Sequence, residues 1–256
     1  MIFFFSGTGN SRFVANRLAD RLCEQASFIP ETDPEKCSFS GSMLGFVFPV
    51  YSWGIPPLIE EFIARLPEEF CKDVQKSGTY VWMACTCGDE AAFTPEMLAK
   101  ALSAKNIPLK GIWSVIMPNN YVLLPGFNVD NKEVEKSKLE AAPARIDAIA
   151  EAIARKETCI DIVRGKHASF KSKMVYPLFK RWGIFPRRWR WTPECIGCEQ
   201  CAVTCPMGNI RMQNGHPLWG DRCVSCLACY HICPTHGVAY GNATRIKGQY
   251  ICPLKK

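Results

Sequence analysis

The stretch IFFFSGTGNSRFVANRL, residues 2–18, decides the fold. Ile2 to Phe5 is an unbroken apolar run, the pattern of a strand covered on both faces within a parallel sheet. Val14, Leu18 and Leu22 then recur every four residues, the spacing of one helix face. Between them lies Ser6-Gly7-Thr8-Gly9-Asn10-Ser11. Its glycines permit a tight turn with exposed amides, and Ser6, Thr8 and Ser11 add hydroxyls. The amino terminus of the following helix favours an anion, so a phosphate group is the expected occupant. The loop lacks the lysine of G-x-x-x-x-G-K-S/T and the spacing of G-x-G-x-x-G, so nucleoside triphosphates and dinucleotides fit it less well.

The same theme continues along the chain. Leu44 to Val50, Thr79 to Cys85 and Ile112 to Met117 read as strands, with a weaker strand near Ser27 to Pro30. Helices are expected over Ile55 to Leu66, Phe93 to Ala104 and somewhere between Val129 and Ile153, where Pro143 is placed to kink or divide the last. Alternating strands and helices predict an α/β, doubly wound sheet of five parallel strands. The aperiodic Asn119 to Val129 connection follows a strand's carboxyl end, where such sheets collect ligand contacts.

The opening loop resembles the S-x-T-G-N-T/S phosphate loop of flavodoxins, which implies a sheet order of 2-1-3-4-5 and an FMN cofactor at the switch point. The cofactor-binding residues so implied begin with Ser6, Thr8, Gly9, Asn10 and Ser11. Pro49, Val50, Tyr51, Ser52, Trp53 and Gly54 resemble the first ring-flanking loop. Thr86, Cys87, Gly88 and Asp89 resemble the second, although the usual aromatic is missing there. Asn119, Asn120 and Tyr121 are expected to complete the pocket. An isoalloxazine needs a flat aromatic partner, for which Tyr51 and Trp53 are the candidates, and backbone donors near its polar edge. Cys85 and Cys87 are expected to be buried filler, since no C-x-x-C dithiol pair occurs in this half.

The end of the chain repeats internally. Cys195, Cys198, Cys201 and Cys205 recur 28 positions later as Cys223, Cys226, Cys229 and Cys233, and Pro206 recurs as Pro234. Each half reads C-x2-C-x2-C-x3-C-P, the known ligand run of bacterial [4Fe-4S] pairs, whose fourth cysteine serves the other cluster. One set would be Cys195, Cys198, Cys201 and Cys233; the other Cys223, Cys226, Cys229 and Cys205. Zinc knuckles could use C-x2-C pairs, but the third and fourth cysteines and the prolines would then have no role. This part resembles two-cluster ferredoxins over about Glu194 to Tyr240, which implies one-electron transfer. Ile196, Val203, Ile210, Val224, Ile232 and Val238 are expected to pack around the clusters, and His231 and His236 to lie outside the ligand set.

Charge and composition divide the chain into three: 1–163 flavodoxin-like, 164–192 a basic aromatic linker, and 193–256 ferredoxin-like. The linker carries nine Lys/Arg and no acid, whereas residues 1–163 carry 16 Lys/Arg against 21 Asp/Glu. The bridge is expected to organise electron transfer or meet an acidic redox partner protein, with peripheral membrane contact as the alternative and nucleic acid disfavoured. Fifteen cysteines could suggest a secreted disulfide framework, but the dense group follows metal-ligand spacing. No signal peptide, no transmembrane segment and a cytoplasmic location are expected.

Taken whole, the chain resembles flavodoxin–ferredoxin fusions of anaerobic bacteria and archaea, often called EFR1-family ferredoxins. That resemblance implies intracellular electron transfer using FMN and two [4Fe-4S] clusters. An FMN-dependent reductase of a small organic or quinone-like acceptor, and a module that only senses redox state, are the competing classes.

Overall fold

The computed structural model describes residues 1–182 and 186–254, with Trp182 described for its backbone alone; Phe185 of the basic bridge lies outside them. Five strands form in the expected order: β1 (Ile2–Phe4), β2 (Ala26–Phe28), β3 (Met43–Pro49), β4 (Tyr80–Cys87) and β5 (Gly111–Ile116). A sixth, β6 (Cys159–Asp161), extends the edge, giving a parallel sheet of order β2-β1-β3-β4-β5-β6. Only three residues of β6 pair with β5, too short a run to announce itself by period. The order and the parallel pairing define a flavodoxin-like sheet.

Helices cover both faces. On one, α1 (Asn10–Leu22) and α5 (Lys132–Ala154) bury Val14, Leu18, Ile146 and Ile153 against Ile2, Phe4 and Trp113. Arg17 and Arg21 of α1 both pair with Asp147 of α5, at 2.7 and 2.6 Å. Pro143 lies inside α5 without dividing it. A proline there costs roughly 3 kcal/mol, and the buried stripe of Ala142, Ile146, Ile149 and Ile153 offsets that cost. On the opposite face, α2 (Pro57–Ala64), α3 (Glu68–Lys76) and α4 (Thr94–Ser103) pack Ile59, Phe62, Phe70 and Leu98 against Phe3, Phe46 and Met83. The helix α3 was not among the expected elements.

The basic bridge is structured. An α turn (α6, Ala168–Phe170), a π turn (Lys171–Val175) and α7 (Tyr176–Trp182) follow one another without a break. Their inner side is fastened to the first half: Tyr176 Oη donates to the Ile55 carbonyl at 2.6 Å, and Ser172 Oγ to the Trp53 carbonyl at 2.7 Å. The bridge ends in β7 (Trp189–Trp191), which pairs antiparallel with β10 (Val238–Tyr240). Trp189 is therefore buried, 6% exposed, and belongs to the second core.

In that second core the 28-residue repeat is written into the backbone. Gly197 and Ser225, Glu199 and Leu227, and Gly208 and His236 all have positive φ, each pair 28 positions apart. The short helices α8 (Gln200–Val203) and α9 (Ala228–His231) share that offset. Between them β8 (Ile210–Gln213) and β9 (His216–Trp219) form a hairpin. Val238 and Ile210 are buried as expected, whereas Ile196 and Val203 are 67% and 80% exposed. The two units also interlock. Val122 and Leu123, from the connection after β5, are buried in the second core. Cys252 and Leu254 return from the chain end to pack on the first.

Candidate functional site

The strand ends of the sheet surround a cavity of about 940 Å³, within the size range of cofactor pockets. Ser6, Thr8, Asn10 and Ser11 line it, as do Pro49 to Trp53, Thr86 to Asp89, and Asn119 to Tyr121. Of the expected residues only Gly9 and Gly54 stand behind the wall. Gly9 has φ +101° and lies against Cys252. A side chain at Gly54 would run into the Tyr176 ring, 2.4 Å from the position of its first carbon.

The loop after β1 is braced by side-chain hydrogen bonds. Ser6 Oγ accepts from the Gly9 amide at 3.2 Å, and Ser11 and Thr86 share a hydroxyl hydrogen bond of 2.7 Å. Asn10 Nδ2 donates to the Pro118 carbonyl at 3.0 Å, while its Oδ1 accepts from Tyr250 Oη at 2.6 Å. Asn120 Nδ2 donates to Thr8 Oγ1 at 2.6 Å. No side chain caps α1. Its first amides are thus donors for an anion, aided by the helix dipole.

The ring loops are equally constrained. Tyr51 and Gly54 exchange backbone hydrogen bonds of 2.9 Å around Ser52 and Trp53, both at positive φ. That is a type I′ turn occupied by two residues with side chains, a strained arrangement of the kind concentrated at binding sites. Trp53 Nε1 donates to Glu90 Oε1 at 2.6 Å, and Lys171 pairs with the same carboxylate. Asn119 Nδ2 donates to Asp89 at 3.2 Å and Asp130 at 3.1 Å, and Asp130 is held by Lys138 at 2.8 Å. The Asn119 and Asn120 side chains are therefore committed to protein partners and brace their loop. Burial pushes the thiols of Cys85, up to about 12, and Cys87 upward, so both remain protonated as filler.

Several wall residues carry no local signature in the sequence. Phe127 and Tyr121 stand 5.5 Å apart by ring centroids, Tyr121 and Phe179 6.5 Å, and Phe179 and Tyr51 6.2 Å. With Trp53 they make an aromatic enclosure to which the bridge contributes Phe170, Lys171, Val175 and Phe179. Glu90 adjoins the second ring loop and could have been found from it; Phe179 could not. The last wall comes from the cysteine repeat: Ser225, Cys226 and Leu227. It fits because Gly7 lacks a side chain; a Cβ there would lie 2.2 Å from the Cys226 carbonyl oxygen.

The repeat brings its cysteines together crosswise. Cys195, Cys198, Cys201 and Cys233 line one small space at the protein surface. Cys205 and Cys223 are the electrostatic neighbours of both Cys226 and Cys229. Burial raises Cys201 to about 11 and Cys226 to about 12. Such thiols ionise only with a cationic group among them. Backbone amides already face the sulfurs: Gly237 to Cys233 at 3.1 Å, Asn209 to Cys205 at 3.3 Å and Ser225 to Cys223 at 3.4 Å. His231 stands outside the ligand set. Its Nδ1 accepts from the Tyr250 amide at 3.0 Å, and its Nε2–H donates to the Asn120 carbonyl at 2.7 Å, joining α9 to the cavity.

Residues 194–238 match the 4Fe-4S dicluster domain family. Among solved structures the chain is similar to a flavodoxin from the domain Archaea, at 10% identity over 60% of this chain and 97% of that one, with a TM-score of 0.38. It is also similar to a short-chain flavodoxin associated with a non-canonical PDU bacterial microcompartment, at 19% identity over 60% and 95%, TM-score 0.35. A third is the two-electron reduced Megasphaera elsdenii flavodoxin, at 13% identity over 59% and 100%, TM-score 0.36. No curated protein matches the chain. By its strand order and this family match, the chain joins a flavodoxin-like sheet to a 4Fe-4S dicluster domain. No helix among the described residues is long and apolar enough to cross a membrane.

Proposed function

We propose that the protein carries electrons between two [4Fe-4S] clusters and an FMN held in the cavity, with the cluster of Cys205, Cys223, Cys226 and Cys229 beside the flavin. The observation that carries this reading is the shared wall: Cys226, a ligand of that inner set, lines the cavity together with the phosphate-loop residues. When bound, FMN exchanges electrons singly or in pairs and each cluster exchanges one, so together they convert between the two modes. The chain's own residues then have separate tasks. The uncapped amides of α1 hold the phosphate, and Trp53, pinned by Glu90, presents an oriented aromatic face. Tyr121, Phe127 and Phe179 keep water from the ring. The outer set of Cys195, Cys198, Cys201 and Cys233 is the port for a redox partner protein, because Cys198 is exposed and Ile196 and Val203 project beside it.

A reductase acting on a small acceptor is the second reading, favoured by the openness of Leu124 and Phe127, 50% and 40% exposed, at the cavity wall. Stopped-flow anaerobic reduction distinguishes the two. In the electron-carrier reading, Cys226→Ser slows bleaching of the flavin band, per flavin retained, by a one-electron protein donor. Unchanged bleaching, with turnover of a small quinone, favours the reductase.

Flavin retention tests the cavity itself. Tyr250→Phe removes the donor to Asn10, a buried hydrogen bond worth about 1 kcal/mol, so FMN affinity should fall roughly fivefold. Thr8→Ala should weaken it by a similar factor. Equilibrium fluorescence titration of the flavin-free protein measures both, and unaltered affinity in both would remove the phosphate role from this loop.

A further inference from the structure

The indole nitrogens of Trp189 and Trp219 are both buried and find no acceptor at full hydrogen-bonding geometry. A buried donor without a partner is costly, so each such group in a native fold calls for an explanation, a redox role among them. The two rings lie stacked, 6.3 Å between centroids and 20° between planes. They share the second core with Cys223 and Cys229. Burial pushes the Cys223 and Cys229 thiols up, and the nearby indoles of Trp189 and Trp219 respectively act against that rise. Both thiols belong to the inner set. Among the described residues the outer set has the Gly237 amide and the Thr235 hydroxyl on Cys233 and the Ala202 amide on Cys201, but no indole.

We propose that Trp189 and Trp219 donate N–H···S hydrogen bonds to the inner cluster's thiolates, raising its reduction potential above that of the outer cluster and so directing electrons inward to the flavin. The proposal rests on the electron-carrier reading and adds its direction. Taking up one electron makes a cluster and its sulfurs more negative, with no bond made or broken and no proton needed. A fixed N–H dipole stabilises that added charge more than the oxidised state, so the reduced form gains. Burial strengthens the effect, because little water competes with the indoles. The Asn209 and Ser225 amides act in the same sense on the same set. The outer cluster, beside exposed Cys198, is set by water, two amides and one hydroxyl, with no indole among its donors. Donor strength and place in the molecule thus agree: the stronger electron acceptor is the one that touches the flavin cavity.

The test is a potentiometric titration of the full-length, anaerobically purified protein, followed by EPR, on the parent and on Trp189→Phe, Trp219→Phe and Trp191→Phe. Phenylalanine keeps the ring packing and removes the N–H. Trp191, exposed and stacked on His216, is the control. Each of the first two variants should shift the inner cluster's one-electron equilibrium roughly tenfold toward oxidised, ~59 mV for one electron. The outer cluster and the Trp191→Phe protein should be unmoved. Cys198→Ser, which perturbs the outer set alone, assigns the two signals. Full iron and flavin content with an unmoved inner potential, or an inner cluster that is reduced after the outer one, overturns this proposal alone. A protein short of two clusters or unable to hold FMN overturns the electron-carrier reading as well.

Discussion

Serine in place of Cys205 should destroy the inner cluster although Cys205 sits in the first cysteine run. Cys233→Ser should destroy the outer one from the second run. The parent protein should hold about eight iron and eight acid-labile sulfide, and each variant about half, by the crossed ligand rule of the motif. Iron and sulfide analysis, with EPR to tell the clusters apart, gives the answer. Stoichiometric zinc, or loss in each case of the cluster belonging to the same run, would show the crossed assignment to be wrong. The effect should reach beyond the metal. Cys201, Cys229 and Cys233 are themselves core residues, packed with Trp189, Tyr230, Val238 and Tyr240. So small a unit has too little apolar area to stand alone, and metal binding supplies folding free energy. Removing iron with a chelator should open the chain after about residue 189 to protease. Because Val122 and Leu123 are inserted in that core, the same treatment should loosen the wall formed by Asn119 to Tyr121 and release flavin.

Gly7→Val should separate the two units at the Gly7–Cys226 contact. The added Cβ would stand 2.2 Å from the Cys226 carbonyl oxygen and 3.0 Å from the Cys226 side chain, so the loops cannot keep their approach. Overpacking of this kind costs about 1–3 kcal/mol, enough to weaken flavin binding by roughly tenfold or more. The outer cluster's iron should hold, since the nearest atoms to Gly7 all belong to Cys226 of the inner set. Reduction of any retained flavin through the clusters should slow. Flavin carried through gel filtration, together with stopped-flow bleaching, measures both; a variant with full flavin and an unchanged rate would mean that the Gly7–Cys226 contact carries no traffic.

How much of this was legible in the chain varies by element. The buried run Ile2 to Phe5 and the four-residue repeat of Val14, Leu18 and Leu22 announced β1 and α1, because a two-sided strand and an amphipathic helix leave distinct periods. The central strands and α5 followed for the same reason. Both α3 and β6 were missed: one is a short helix directly after another, and the other is three residues held by pairing with β5. In the bridge, nine positive charges suggested a docking linker. The structure pairs Lys171 with Glu90 and Lys180 with Glu60, uses Tyr176, Ser172 and Phe179 to fasten the bridge over the cavity, and gives Trp189 to the second core. Charge composition indicated that the segment would meet the acidic first half and said little about which aromatic side chains it would bury there.

By itself the sequence determined the ligand chemistry. Eight cysteines at C-x2-C-x2-C-x3-C-P spacing, and a Ser-Gly-Thr-Gly-Asn-Ser loop between strand and helix, specify their partners locally, since spacing along the chain sets which thiols and amides can converge. Tertiary structure alone decided how the two halves meet. Cys226 beside Gly7, Asn120 bonded to His231, Tyr250 bonded to Asn10, and the rings of Trp189 and Trp219 packed in one core with Cys223 and Cys229 are all contacts between distant segments. Such contacts depend on shape and on which groups are left unsatisfied once each half has folded, and neither quantity has a period or a spacing to read.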